Sequence, residues 1–345
     1  MYDMHSKMVT FYHNHVRLHK AKRDELADHR DTNLDRLNSG LDKMSEEDEC
    51  VYSHPIRSKD QGSYPMHTLN QRPDKDYDID VAIIFRQDDL PSSALDARKH
   101  VERAFVAAGG NFSQPPRART NAVTVWYTDG YHVDFAVYRE VEDEYGETFT
   151  EHAGSDWKPR DPVEITVWFK RIVREKSPSS ASGASVEKGQ LRRVVRLLKA
   201  FAKSREAWNL PGGMIISKLV EECYQSHYSR DDEALYLTMK AIRNRLLGNV
   251  EVYDPIYSDQ KLTYKEKFRK QVERFRDKLG DALTELDILH NIDCTHKQAM
   301  DAWHWVFQHE YWKEDEDNGG TKEAASGPSP VIKSSSDVRE SPPFA

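Results

Sequence analysis

Asp76-Tyr77-Asp78-Ile79-Asp80-Val81-Ala82-Ile83-Ile84-Phe85 sets two carboxylates two residues apart and runs straight into an unbroken apolar stretch. Residues i and i+2 of an extended strand point to the same side, so Asp78 and Asp80 present neighbouring carboxylates at the mouth of a buried strand. Such a pair repels itself unless a cation lies between its members. Magnesium suits hard oxygen ligands and keeps positions for water and phosphate oxygens, with manganese as the alternative ion. Upstream, Gln61-Gly62-Ser63 reads as a turn in which Gly62 lets backbone approach a phosphate closely. The amide and hydroxyl of Ser63 can donate to that phosphate at a helix start. Downstream, Asp134 sits inside His132-Val133-Asp134-Phe135-Ala136-Val137, an otherwise apolar strand where an acid needs a reason. Asp78, Asp80 and Asp134 together are expected to hold two magnesium ions roughly 3.5–4 Å apart, one activating an attacking ribose hydroxyl and one steadying a pyrophosphate leaving group.

Working outward, Gln71 to Asp76 is a polar loop before the strand Val81 to Phe85. Ser92 to Ala108 reads as a helix ended by Gly109-Gly110, and Val123 to Tyr127 with His132 to Tyr138 as a hairpin about Asp129-Gly130. From Met4 to about Met44, apolar residues recur at intervals of one long helix or two shorter ones, which brace the fold. Val51 to Ser63 leads through Pro55 into the Gly-Ser turn. Beyond Val163, helical stripes dominate: Val167 to Val173, Leu191 to Trp208, Met214 to Tyr224, Ala234 to Leu247, Tyr264 to Leu289 and Thr295 to Tyr311. This order fits α/β or α+β. The predicted organisation is an N-terminal helix (1–50), a core carrying the acids (51–165), a helical lobe (166–313) and a tail (314–345) whose acidic, then Gly-, Ser- and Pro-rich composition predicts disorder.

The 345-residue chain has no apolar run near the roughly 18 residues of a membrane span, and no apolar signal core, so a cytoplasmic protein is expected. Its three cysteines, Cys50, Cys223 and Cys294, form neither a disulfide framework nor a Cys-x-x-Cys pair. A net charge of −8 argues against a generally basic surface for nucleic acid.

The motifs Gln61-Gly62-Ser63-Tyr64, Asp76-Tyr77-Asp78-Ile79-Asp80-Val81 and Val133-Asp134-Phe135 resemble the signatures of the cGAS/DncV-like nucleotidyltransferases, the bacterial CD-NTases of anti-phage CBASS systems. Gly-Ser and Asp-x-Asp are shared with the wider polymerase-beta-like superfamily. The long N-terminal helix, helical C-terminal lobe and tail narrow the likeness, which runs to Val306-Phe307. The resemblance implies an α+β fold: a polymerase-beta-like nucleotidyltransferase core with a mixed sheet. It also implies that ATP, GTP or other nucleoside triphosphates are joined into a cyclic di- or trinucleotide that activates a downstream effector. The helix carrying Arg196-Leu197-Leu198-Lys199-Ala200-Phe201 would border the cleft, with Lys199 on the triphosphate. The nucleotide-binding set is then Gln61, Gly62, Ser63 and Lys199. Linear transfer, as adenylylation or oligoadenylate synthesis, would use the same three acids, and a silent scaffold would bind nucleotide without turnover.

Tyr64, Tyr253 and Tyr257 could stack on bases, although packing explains each more simply. His13, His15 and His19 contain an i, i+4 pair, read as a solvated helix face rather than a metal site. Trp303, Trp305, Phe307 and Trp312 read as helical core. The animal DNA sensor's His and Cys zinc element has no match here, which with the acidic charge argues against DNA activation. In some CBASS operons a ubiquitin-like ligation enzyme joins the CD-NTase C-terminus to another molecule, and Pro342-Pro343-Phe344-Ala345 is compatible with such attachment at Ala345.

Overall fold

Two central parallel strands, β2 (Tyr77–Arg86) and β5 (Tyr131–Glu142), pair along ten residues and carry the acids. The computed structural model describes residues 1–71, 77–128, 130–179 and 183–313, and residues 1–313 belong to one unit. The sheet runs β1 (Arg57–Gln61), β2, β5, β4 (Val123–Tyr127), β3 (Phe112–Ala118), while β6 (Thr148–Ala153) pairs with the far half of β5 and β7 (Trp157–Pro159) with β6. Among the described residues only β2 and β5 pair in parallel, so the sheet is mixed. Period-two alternation sorts its faces. Ile79, Val81, Ile83, Phe85, Val133, Phe135 and Val137 share one buried core with Leu26, Leu37, Leu41 and Met44 of α2 (Lys20–Glu47) and Ala97, Val101 and Phe105 of α3 (Ala94–Ala108). The opposite face is left to Asp78, Asp80, Ala82 and Ile84 on β2 and His132, Asp134, Ala136 and Tyr138 on β5.

The α3 helix starts where Ser93 accepts from Asp96 N and stops at Gly109, whose φ of +73° suits glycine. α2 crosses α3 at Gly40, where an added Cβ would lie 1.9 Å from the carbonyl oxygen of Ala104. Gly40→Ala, normally favourable inside a helix by about 1 kcal/mol, is therefore expected to destabilise by about 3 kcal/mol, since two backbones must separate. A thermal melt of the variant checks this, and an unchanged midpoint would refute the close crossing.

The N-terminal segment is two helices rather than one. α1 (His5–Phe11) continues through wider turns at Tyr12–Val16, then Arg17 to His19 are not helical and α2 begins at Lys20. Met4, Met8, Phe11, Tyr12 and Val16 join the helical core, whereas Leu18, Leu26 and Leu37 join the sheet core. A straight helix cannot aim one apolar stripe into both, so the chain breaks where the stripe changes core. The break also separates His15 from His19, so the i, i+4 pairing does not form.

The helical part consists of α4 (Glu164–Lys176), α5 (Gln190–Ala202), α6 (Gly213–Cys223), α7 (Asp231–Gly248), α8 (Glu266–Leu286) and α9 (His296–Phe307). Thr295 and Gln298 form a capping box on α9. Trp303, Phe307 and Trp312 are buried, as expected of core, with Trp305 packed against them. α5 stops short of Trp208 because the chain turns after Ala202 and Arg205 lies over the rings of Trp208 and Trp305, 4.1 and 4.5 Å from their centroids. Among the described residues no helix is long and apolar enough to cross a membrane. The polar loop's residues 72–76, Asp129 and the tail with Ala345 lie outside the described residues.

Candidate active site

Four side chains stand on one rung across four strands. Gln61 on β1 pairs with Asp80 on β2, Asp80 with Asp134 on β5, and Asp134 with Thr124 on β4. Directly paired residues share a face, so this rung projects away from the α2/α3 layer. Asp78 is one pleat along β2, paired with His132. The three acids predicted from sequence are therefore neighbours on adjacent strands.

Gly62 follows the rung with φ +65°, and a Cβ there would fall 2.0 Å from Asp80 Oδ2. Only glycine lets this turn lie against that carboxylate. The Gln61 amide donates to the Tyr138 hydroxyl at 3.1 Å and the Pro162 carbonyl at 2.8 Å, pinning the turn near the start of α4. The Ser63 carbonyl accepts from Thr68 N at 2.9 Å. From the helical part, Lys199 on α5 donates from Nζ to the Thr68 carbonyl at 2.7 Å. Gly213 opens space beside it, since a Cβ there would meet Lys199 Cε at 3.1 Å. Arg192 Nε donates to the Met66 carbonyl, and Asn70 donates to the Arg196 carbonyl, so α5 cradles the whole loop after the Gly-Ser turn.

Among the described residues, Lys199 is the cation that acts on the Asp80 carboxylate. Burial first, then the charges of Asp78 and Asp134, push the Asp80 carboxyl up to about 7, while Lys199 pulls it the other way. An all-oxygen donor set around a half-buried carboxylate that Lys199 offsets only in part fits a hard divalent cation. Among the described residues no three His, Cys, Asp or Glu groups converge to hold an ion unaided. Water and phosphate oxygens would complete the shell, as magnesium sites commonly require.

Sequence reading passed over Thr124 and the Asn70 and Arg192 contacts. Thr124 was legible by the same signal that marked Asp134, a polar residue between inward valines, Val123 and Val125. Tyr64 packs beside the sheet core with Arg23 over its ring, and the hydroxyls of Tyr253 and Tyr257 bond Glu251 and Glu164.

Residues 57–138, spanning β1 to the middle of β5, match the family described as cyclic GMP-AMP synthase DncV-like, nucleotidyltransferase domain. The chain carries a DncV-like nucleotidyltransferase domain. Solved structures extend the likeness over 89% of this nucleotidyltransferase. They include CdnC of E. coli MS115-1 with ATP (17% identity, 98% of that chain covered, TM-score 0.62) and the cyclic AMP-GMP synthase DncV of Vibrio cholerae (13%, 96%, 0.65). A third is the CD-NTase CdnG of Bradyrhizobium diazoefficiens with GTP, at 14% identity, 96% of that chain and a TM-score of 0.62. At such identities the structural likeness speaks for the fold. The family resemblance and the α+β class read from the motifs are borne out.

Proposed function

We propose that this nucleotidyltransferase joins nucleoside triphosphates, ATP and GTP foremost, into a cyclic di- or trinucleotide that signals in cytoplasmic anti-phage defence. The observation that carries the reading is the Asp80–Asp134 rung with Asp78 beside it and Gly62 pressed against Asp80. The cyclic product is favoured by structural likeness to proteins described as cyclic AMP-GMP synthase. In this reading the core of residues 51–165 supplies the acids, the helical lobe of residues 166–313 supplies Lys199, and residues 1–50 brace both.

Asp78, Asp80 and Asp134 would hold two magnesium ions, and manganese would substitute. Ions held there would supply Lewis acidity for an attacking hydroxyl and for phosphoryl oxygens. The chain's own groups provide position and charge. Gly62 brings backbone up to the triphosphate, Ser63 offers its amide and hydroxyl, and Lys199 adds a cation opposite the acids. Gln61, through Tyr138 and Pro162, keeps the turn from shifting.

Incubating the purified chain with labelled ATP, GTP, CTP and UTP and magnesium, followed by phosphatase and mass spectrometry, tests this. A phosphatase-resistant cyclic product is expected. A linear product would replace the reading with linear transfer, and nucleotide bound without any product would leave a silent scaffold.

A further inference from the structure

Thr124 is a hydroxyl with a task. It is 1% exposed on β4, flanked by Val123 and Val125, which turn to the sheet core. A buried hydroxyl is unfavourable unless hydrogen-bonded, and this one donates to Asp134 Oδ1 at 2.5 Å. The strand register makes the contact rigid rather than incidental, because Thr124 and Asp134 are direct partners on the antiparallel β4–β5 ladder. Threonine is branched at Cβ, so its χ1 is restricted and its hydroxyl is aimed by the backbone. Asp134 Oδ2 is left towards His132, whose Nε2 is 3.9 Å away.

From this geometry we infer that Thr124 is a positioning residue for Asp134: it occupies Oδ1, fixes the carboxylate plane, and reserves Oδ2 for the ion and the reacting nucleotide. The inference rests on the metal-site reading of Asp134 given above. Groups that orient metal-binding side chains typically change metal affinity or activity by 10–100-fold when removed. Thr124→Val keeps shape and strand preference and deletes the donor, whereas Thr124→Ser keeps the donor and loses a methyl group.

The experiment titrates manganese into the full chain without nucleotide, following free ion by electron paramagnetic resonance, and then measures kcat and KM with nucleoside triphosphates and magnesium. Thr124→Val is expected to weaken manganese binding about tenfold and to lower kcat about 10–100-fold with KM nearly unchanged. Thr124→Ser is expected to restore both to within about threefold, which a purely packing role would not produce. Asp134→Asn is run alongside. If Asp134→Asn is inactive while Thr124→Val binds manganese and turns over like the parent, the Thr124 assignment is overturned alone. If Asp134→Asn is fully active, the metal-site reading falls and the role of Thr124 falls with it.

Discussion

Asp80→Asn is expected to lower turnover by about 10³-fold or more and, at pH 8 without divalent ions, to melt several degrees above the parent protein. The two effects share one cause. Asp80 is half-buried, faces Asp78 and Asp134, and has its carboxyl raised from 3.8 to about 7, so the folded chain must either protonate it or accommodate an unwelcome charge. Below about pH 4 the acid is protonated in both folded and unfolded states, and its protonation favours neither. Between about pH 4 and 7 the unfolded chain releases the proton and the folded chain retains it, so stability falls across that window and stays low above it. Asparagine has no such slope. The melting gap should therefore open through that window and close again towards pH 4. Magnesium should raise the melting temperature of the parent and leave Asp80→Asn nearly unmoved. Scanning fluorimetry at several pH values, paired with the nucleotide product assay, reads both halves. Retained turnover would end the metal assignment, and equal melting temperatures at pH 8 would end the electrostatic one. Asp78→Asn should match the loss of turnover.

Gly62→Ala carries the second large effect. The backbone there has φ +65°, a conformation that costs an L-residue about 1–2 kcal/mol, and the methyl group would fall 2.0 Å from Asp80 Oδ2. Relief requires either the turn or the carboxylate to move, and displacement by about 1 Å at a reacting centre is enough for a 10²-fold loss. Turnover should fall by at least about that factor, with a stability loss of about 2 kcal/mol. Gly248→Ala is the control, since a Cβ at the end of α7 meets nothing within 4 Å. It should be neutral or slightly stabilising by up to about 1 kcal/mol. Equal kinetics for the two variants would remove the Gly-Ser turn from the site.

Much of this was legible in the residues because burial writes alternation into strands. Asp78, Asp80 and Asp134 stand out as acids placed where an apolar face continues, and the structure aligns Asp80 with Asp134 in register. The strands that escaped have weaker signatures. β1 is Arg-Ser-Lys-Asp-Gln, a polar edge strand that exists because β2 offers it a ladder. β3 contains Pro115-Pro116 and an irregular register, tolerable only at the rim of a sheet. The break after Val16 has no glycine or proline to announce it, since it arises from a competition between two cores. Lys199 was placed by family likeness, but its bond to the Thr68 carbonyl depends on a loop packed across α5 and is invisible to local pattern.

That competition between cores also bears on how the chain comes to be folded at all. Phe11 meets Phe307 at 4.7 Å and Trp312 at 5.1 Å between ring centroids, Tyr311 donates to the Lys7 carbonyl, and Tyr2 N donates to the Leu289 carbonyl. These partners are separated by nearly the whole length of the described chain, and such contacts close late. At about 5–20 residues per second, Met4 to Val16 wait about 15–60 s after leaving the ribosome before α9 emerges. During that interval α2 can already settle on the nascent sheet with Leu26, Leu37 and Leu41, while Phe11 still lacks Phe307 and Trp312. The acids of β2 and β5 can thus be in register before α5, which follows them in the chain, brings Lys199 to the Thr68 carbonyl, so the sheet carries its acids before the helical part completes the site.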